Sequence, residues 1–133
     1  MNRKIQLTAL AVFTMAISVF AQSAPKPWAA LKNFHHFMSA SFHPAEEGNL
    51  VPLKEKADSM LVAAKQWQAA SIPAEYKIAE TKTALKKLVK QCAVIKTSVK
   101  KNAADDKLKQ QITAAHDIFH TIVKECKKEE EKH

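Results

Sequence analysis

The chain of 133 residues predicts an all-α protein, an up-down-up-down four-helix bundle behind an N-terminal signal peptide. Three observations carry that prediction. The sequence holds a single glycine, Gly48, whereas sheets and their tight turns normally use more. Apolar residues recur at steps of three and four through successive segments, the spacing of coiled-coil-like helix packing. Prolines and small polar residues divide those segments by short links, and short links join antiparallel neighbours in a bundle.

The leader comes first. "MNRK" is basic, Ile5 to Phe20 is an apolar run, and "AQSA" follows, which is the layout of a secretory signal peptide. Residues 1–23 are assigned to it, with cleavage after Ala21 or Ser23; a cut after Ala24 would leave Pro25 beside the scissile bond. The run is shorter than the about 20 residues a membrane-spanning helix needs, so no stable membrane anchor is expected. The mature domain, residues 24–133, is expected in a periplasm or outside the cell.

From Pro27 the positions Trp28, Leu31, Phe34, Met38 and Phe42 form the stripe of the first helix. His43-Pro44 is expected to end it, because the residue before proline is pushed out of the helical region. "PAEEGN" reads as a loop, and Pro52 suits the first turn of a second helix with Leu53, Ala57, Met60, Ala64 and Trp67 as its stripe. "SIPAEY" breaks the chain again, with Ser71 as a cap and Pro73 in a first turn. The third helix carries Ile78, Leu85, Leu88, Cys92, Ile95 and Val99. Asn102 is expected to cap the fourth, with Asp105 and Asp106 in the first turn, where the helix dipole favours acids. Its stripe is Leu108, Ile112, Ala115, Phe119, Ile122 and Cys126, and a charged tail, "KKEEEKH", is expected to fray. Trp28 and Trp67 both fall on stripes and read as core.

The cysteines, Cys92 and Cys126, invite a disulfide in an oxidising compartment. A hairpin about residues 101 and 102 puts Cys92 level with about residue 111, which leaves Cys126 roughly 22 Å further along at 1.5 Å per residue. A disulfide needs Cα atoms within about 7 Å. Both cysteines therefore read as small core residues, and the absence of C-x-x-C-H excludes a c-type haem attachment.

The same level argument applies to the first and fourth helices, which are antiparallel neighbours in this topology. Paired residue numbers then sum to about 155, which sets His35 and His36 opposite His120 and Phe119. His116 falls opposite Ser39, and His43 lies about a turn beyond it. Of the six histidines only His133 lies elsewhere, and the second and third helices have none. His116 and His120 stand four apart on one helical face, within reach of a single ion.

Imidazole is a ligand of zinc, copper, nickel and iron, and bundle sites are built from side chains on facing helices. The candidate metal ligands are His36, His43, His116 and His120, with Glu47 of the acidic pair Glu46-Glu47 as a carboxylate. His35 falls nearer the core position and is the alternative to His36. Three or four nitrogen ligands suit tetrahedral zinc, and a thioether from Met38 would suit copper.

At these residues the chain resembles the soluble b-type four-helix cytochromes of the periplasm, in the cytochrome c-prime-like superfamily. The likeness spans most of the mature chain, in helix lengths and in the proline-bearing link between the second and third helices. Members of that family hold haem between a methionine early in the first helix and a histidine near the end of the fourth. Laying Leu31 to His35 on the first motif puts His35 at the methionine position, and laying Phe119-His120 on the second puts His120 at the other axial position. The resemblance thus implies a bundle and, as a cofactor, haem b held by His35 and His120.

Removing Arg3 and Lys4 with the leader lowers the formal charge from +8 to +6. A basic exported protein points to an anionic partner or surface, not to nucleic acid. Lys82, Lys86 and Lys90 make a basic stripe on the third helix, with Lys96, Lys100 and Lys101 further on; it would suit an acidic protein partner or an anionic membrane. No nucleophile–base pair, phosphate loop or carboxylate dyad supports an enzyme. The expected function is transition-metal binding, of zinc or copper, for buffering or sensing. A b-type haem electron carrier and a cofactor-free interaction module are the alternatives.

Overall fold

The computed structural model describes residues 28–129, so the signal-peptide assignment and the last four residues lie outside the described residues. Four helices follow in order: α1 Ala29–Glu46, α2 Val51–Ala69, α3 Ile78–Lys100 and α4 Asp105–His120. A single π-helical turn, Thr121–Glu125, continues α4. Each helix packs on the next, α1 closes on α4 along the sparsest of the four seams, and the backbones of diagonal pairs stay further apart. This is the expected four-helix bundle.

The stripes bury as their spacing requires. Phe34, Leu53, Met60, Trp67, Leu88, Ile95, Leu108, Ile112 and Ile122 are fully buried. Trp28, Trp67 and Tyr76 close one end of the bundle, with Trp28 at 5.5 Å from Trp67 and 4.9 Å from Tyr76. Cys92 and Cys126 are both buried and unpaired. Gln91 Nε2 donates to the Gln111 carbonyl at 3.0 Å, which sets the α3–α4 register within a residue of the expected one.

Three element boundaries differ from expectation. α1 does not stop at His43-Pro44 but runs through Pro44 to Glu46. Pro44 falls in the last turn, where it has no N–H for Ala40 O and its ring crowds that carbonyl, yet the helix continues past it. The stop comes from Gly48 at φ +86°: its N–H donates to Ala45 O at 3.0 Å and the Asn49 N–H to Pro44 O at 2.9 Å. That pair of bonds closes a helix on a left-handed residue.

α3 begins at Ile78, after Ser71 and Pro73, and its N-cap Lys77 makes no side-chain cap. The link is pinned to the chain's other end, with Lys77 N–H on Cys126 O and Lys128 N–H on Glu75 O, both 2.7 Å. Tyr76 turns inward while Ile78 is 59% exposed, so Tyr76 fills the place expected of Ile78. Asn102 belongs to the end of α3, not the start of α4. It sits at φ +53°, with its N–H on Val99 O at 3.1 Å and the Ala103 N–H on Ser98 O at 3.0 Å. Asparagine tolerates the left-handed region better than most residues, so it serves where glycine is absent. Asp105 and Asp106 do occupy the first turn of α4.

Candidate metal centre

On α4 the buried positions are Leu108, Ile112, Ala115 and Phe119. His116 and His120 each follow one of these, so both rings sit at the margin of the core, half-buried. Four-residue spacing stacks them one turn apart. Their Nε2 atoms are 3.1 Å apart, with ring centroids at 4.3 Å and planes at 78°. Across the seam the Phe42 ring of α1 lies flat on His116, centroids 3.7 Å apart and planes within 9°. Phe42 thereby fixes the orientation of the histidine that the pair depends on.

The environment keeps His116 neutral. Burial lowers its proton affinity most, the neighbouring His120 lowers it further, and His43 adds to this, while Asp117 and Glu46 pull the other way. A neutral imidazole is the form that binds a metal. His120 Nδ1 is buried without a hydrogen-bond partner.

With metal–nitrogen bonds of about 2.0–2.1 Å, two nitrogens 3.1 Å apart subtend about 100° at a shared ion. That lies between the square-planar and tetrahedral angles, so the separation itself is compatible with one shared cation. The same separation also suits a hydrogen bond between two neutral rings, one donating and one accepting.

The other expected ligands stand as follows. His43 is exposed near the end of α1, its Nδ1 3.9 Å from Glu46 Oε2. His35 stacks on Phe119 with centroids 5.3 Å apart and planes within 2°, and His36 turns its edge to Phe37 at 5.4 Å. His35 and His36 share a shallow outer groove with Lys32, Ser39 and Ala40. Glu47 is the C-cap of α1 and exposed, whereas Glu46 is in the last helical turn. Among the described residues no three His, Cys, Asp or Glu side chains converge as a ready-made metal site. Met38 is buried in the core.

The structure adds two residues to the expected set, Phe42 and Glu46. Phe42, already on the expected stripe, falls near His116 at the expected pairing, and Glu46 is legible once α1 is continued past Pro44, since it then lies three residues from His43 on one face.

The haem implied by the resemblance needs a flat slot between His35 and His120. Phe119 neighbours both, at 5.3 and 5.8 Å, and Phe34 and Trp67 pack against it at 5.9 Å each. These aromatic rings fill the interior there, so the residues as arranged do not fit the macrocycle. A cleft of about 710 Å³ lies between α3 and the end of α4 with its π turn, and is bordered by Lys77, Glu80, Lys87, Asp117 and Glu125. Open and mixed in charge, it contains no histidine. No family model matches the chain, and no curated protein or solved structure matches it.

Proposed function

We propose that the mature protein binds a transition-metal ion, zinc or copper, through His116 and His120 and serves to buffer or sense that metal in the periplasm. The observation that carries this reading is the 3.1 Å separation of the two Nε2 atoms, with His116 held flat under Phe42. The reading involves binding and no catalytic step. Lys82, Lys86 and Lys90 are exposed, and among the described residues none of them forms an ion pair; this face is our proposed contact for an acidic protein partner.

The test is calorimetric titration of the mature chain with zinc and with copper at pH 7.5, together with melting curves. Wild type should take up about one ion and melt higher with it, because a ligand of the native state stabilises by mass action. His116→Ala/His120→Ala should lose both effects and stay helical, and His133→Ala should change neither. A double variant with wild-type affinity would refute the proposal and favour the cofactor-free module, in which the two rings simply hydrogen-bond. A visible spectrum with a Soret band would favour haem instead.

A further inference from the structure

Resting on that reading, we infer that His43 and Glu46, on the last turn of α1, complete the site, giving three nitrogens and one oxygen for a divalent cation that ties the first helix to the fourth. The register brings these groups to the pair. Lys109 Nζ on α4 donates to the Glu46 carbonyl at 3.3 Å, and Phe42 lies on His116, so the end of α1 runs antiparallel beside the middle of α4. Side chains tilt toward the N-terminus of their own helix. In this antiparallel pair Glu46 therefore leans toward the level of His116, and His116 leans toward the level of Glu46.

The spacing within the α1 arm is close to what an ion requires. His43 Nδ1 and Glu46 Oε2 are 3.9 Å apart, on side chains 68% and 55% exposed. Two ligand atoms on a tetrahedral zinc stand about 3.4 Å apart, so a small rotation of two unconfined side chains closes the difference. Asp117 and, after it, Glu46 favour positive charge at His116, while His43 opposes it. Glu47 acts as the cap outside the last turn, and His36 faces Phe37 and the outer groove. Neither has a comparable approach.

The donor set also assigns the class of ion. Imidazole and carboxylate suit zinc and cupric ions, whereas cuprous and silver ions select thiolate and thioether. The soft donors Met38, Met60, Cys92 and Cys126 are all buried in the core, away from this exposed arm.

The experiment measures zinc affinity of the full mature chain by calorimetry, with cobalt(II) absorption as a readout of coordination and circular dichroism as a check on folding. Glu46→Gln and His43→Ala should each weaken zinc binding by about tenfold or more and change the cobalt spectrum. Glu47→Gln and His36→Ala should stay within about twofold, and silver(I) should not displace zinc. If wild type binds zinc through His116 and His120 while Glu46→Gln and His43→Ala leave affinity and spectrum unchanged, this inference fails and the proposed function stands. Displacement by silver(I) would overturn the assigned class of ion. If wild type binds no metal, both fall.

Discussion

Replacing Phe42 by leucine tests the contact on which the histidine pair depends. Phe42 is 7% exposed, and its ring lies 3.7 Å from the His116 ring with planes within 9°. Leucine keeps most of the apolar volume, and such a change of shape in a core costs under about 1.5 kcal/mol. The lost stacking adds about 0.5–1.5 kcal/mol, so the single variant should lose about 0.5–3 kcal/mol in all. A double-mutant cycle with His116→Ala isolates the stacking, because each single change removes the same contact. Urea unfolding of metal-free protein comprising residues 24–133, above pH 7.5 with chelator present, supplies the four stabilities, and unchanged m-values license their comparison. The coupling energy should fall at about 0.5–1.5 kcal/mol. A coupling below about 0.3 kcal/mol, within the additivity of independent sites, would show that Phe42 does not hold the ring, and that geometry would no longer support the site.

Leu88→Ala removes a fully buried side chain from the middle of α3 and should cost about 2–5 kcal/mol; a loss under about 0.5 kcal/mol in the same urea assay would contradict its burial. Gly48→Ala meets no atom within 4 Å of the added Cβ, but φ is +86°, so the cost is conformational, about 1–2 kcal/mol, and unchanged stability would mean that the helix end is not built as described. His116 has a proton affinity lowered by burial, so below about pH 6.5 the unfolded chain binds more protons at this site than the native one. Its contribution is present above that pH and is lost as pH falls toward the folded value. Wild type should therefore lose more stability between pH 7.5 and 5 than His116→Ala does, and equal losses would refute the assignment.

The parts of the fold that were legible in the sequence depend on periodicity and register. Stripes at steps of three and four bury wherever a helix has neighbours, which is why Leu88, Cys92, Ile95, Leu108 and Ile112 all lie inside. The antiparallel level argument needs only the rise per residue and the position of the turns. It therefore placed Cys92 close to the level of Gln111 and His35 beside Phe119, whereas His36 turns to Phe37. Boundaries were less legible because their residues serve two purposes. Asn102 suits an N-cap and a left-handed C-terminus equally, and only the hydrogen bonds of Ala103 and Asn102 back to α3 decide between them. Likewise Ser71 and Pro73 carry the signs of a helix start, yet the backbone bonds to Cys126 and Lys128 hold that segment out of the helix.

The end of α1 shows how a boundary propagates into chemistry. With the helix stopped at His43, Glu46 and Glu47 are both loop residues and nothing local separates them. With the helix carried to Glu46, the regular backbone fixes Glu46 three residues from His43, and the left-handed Gly48 turns the chain away just after Glu47. Pro44 does not stop the helix: it forfeits the bond to Ala40 O and crowds that carbonyl, yet the last turn runs on to Glu46. Glu46, the carboxylate of the proposed site, is thus positioned by where a glycine can take a positive φ. The side-chain orientations, by contrast, come from tertiary contacts such as the Phe42 ring on His116, which no spacing within α4 encodes. A helix-capping residue and an aromatic neighbour from the far end of the chain therefore shape the proposed site as much as the histidines do.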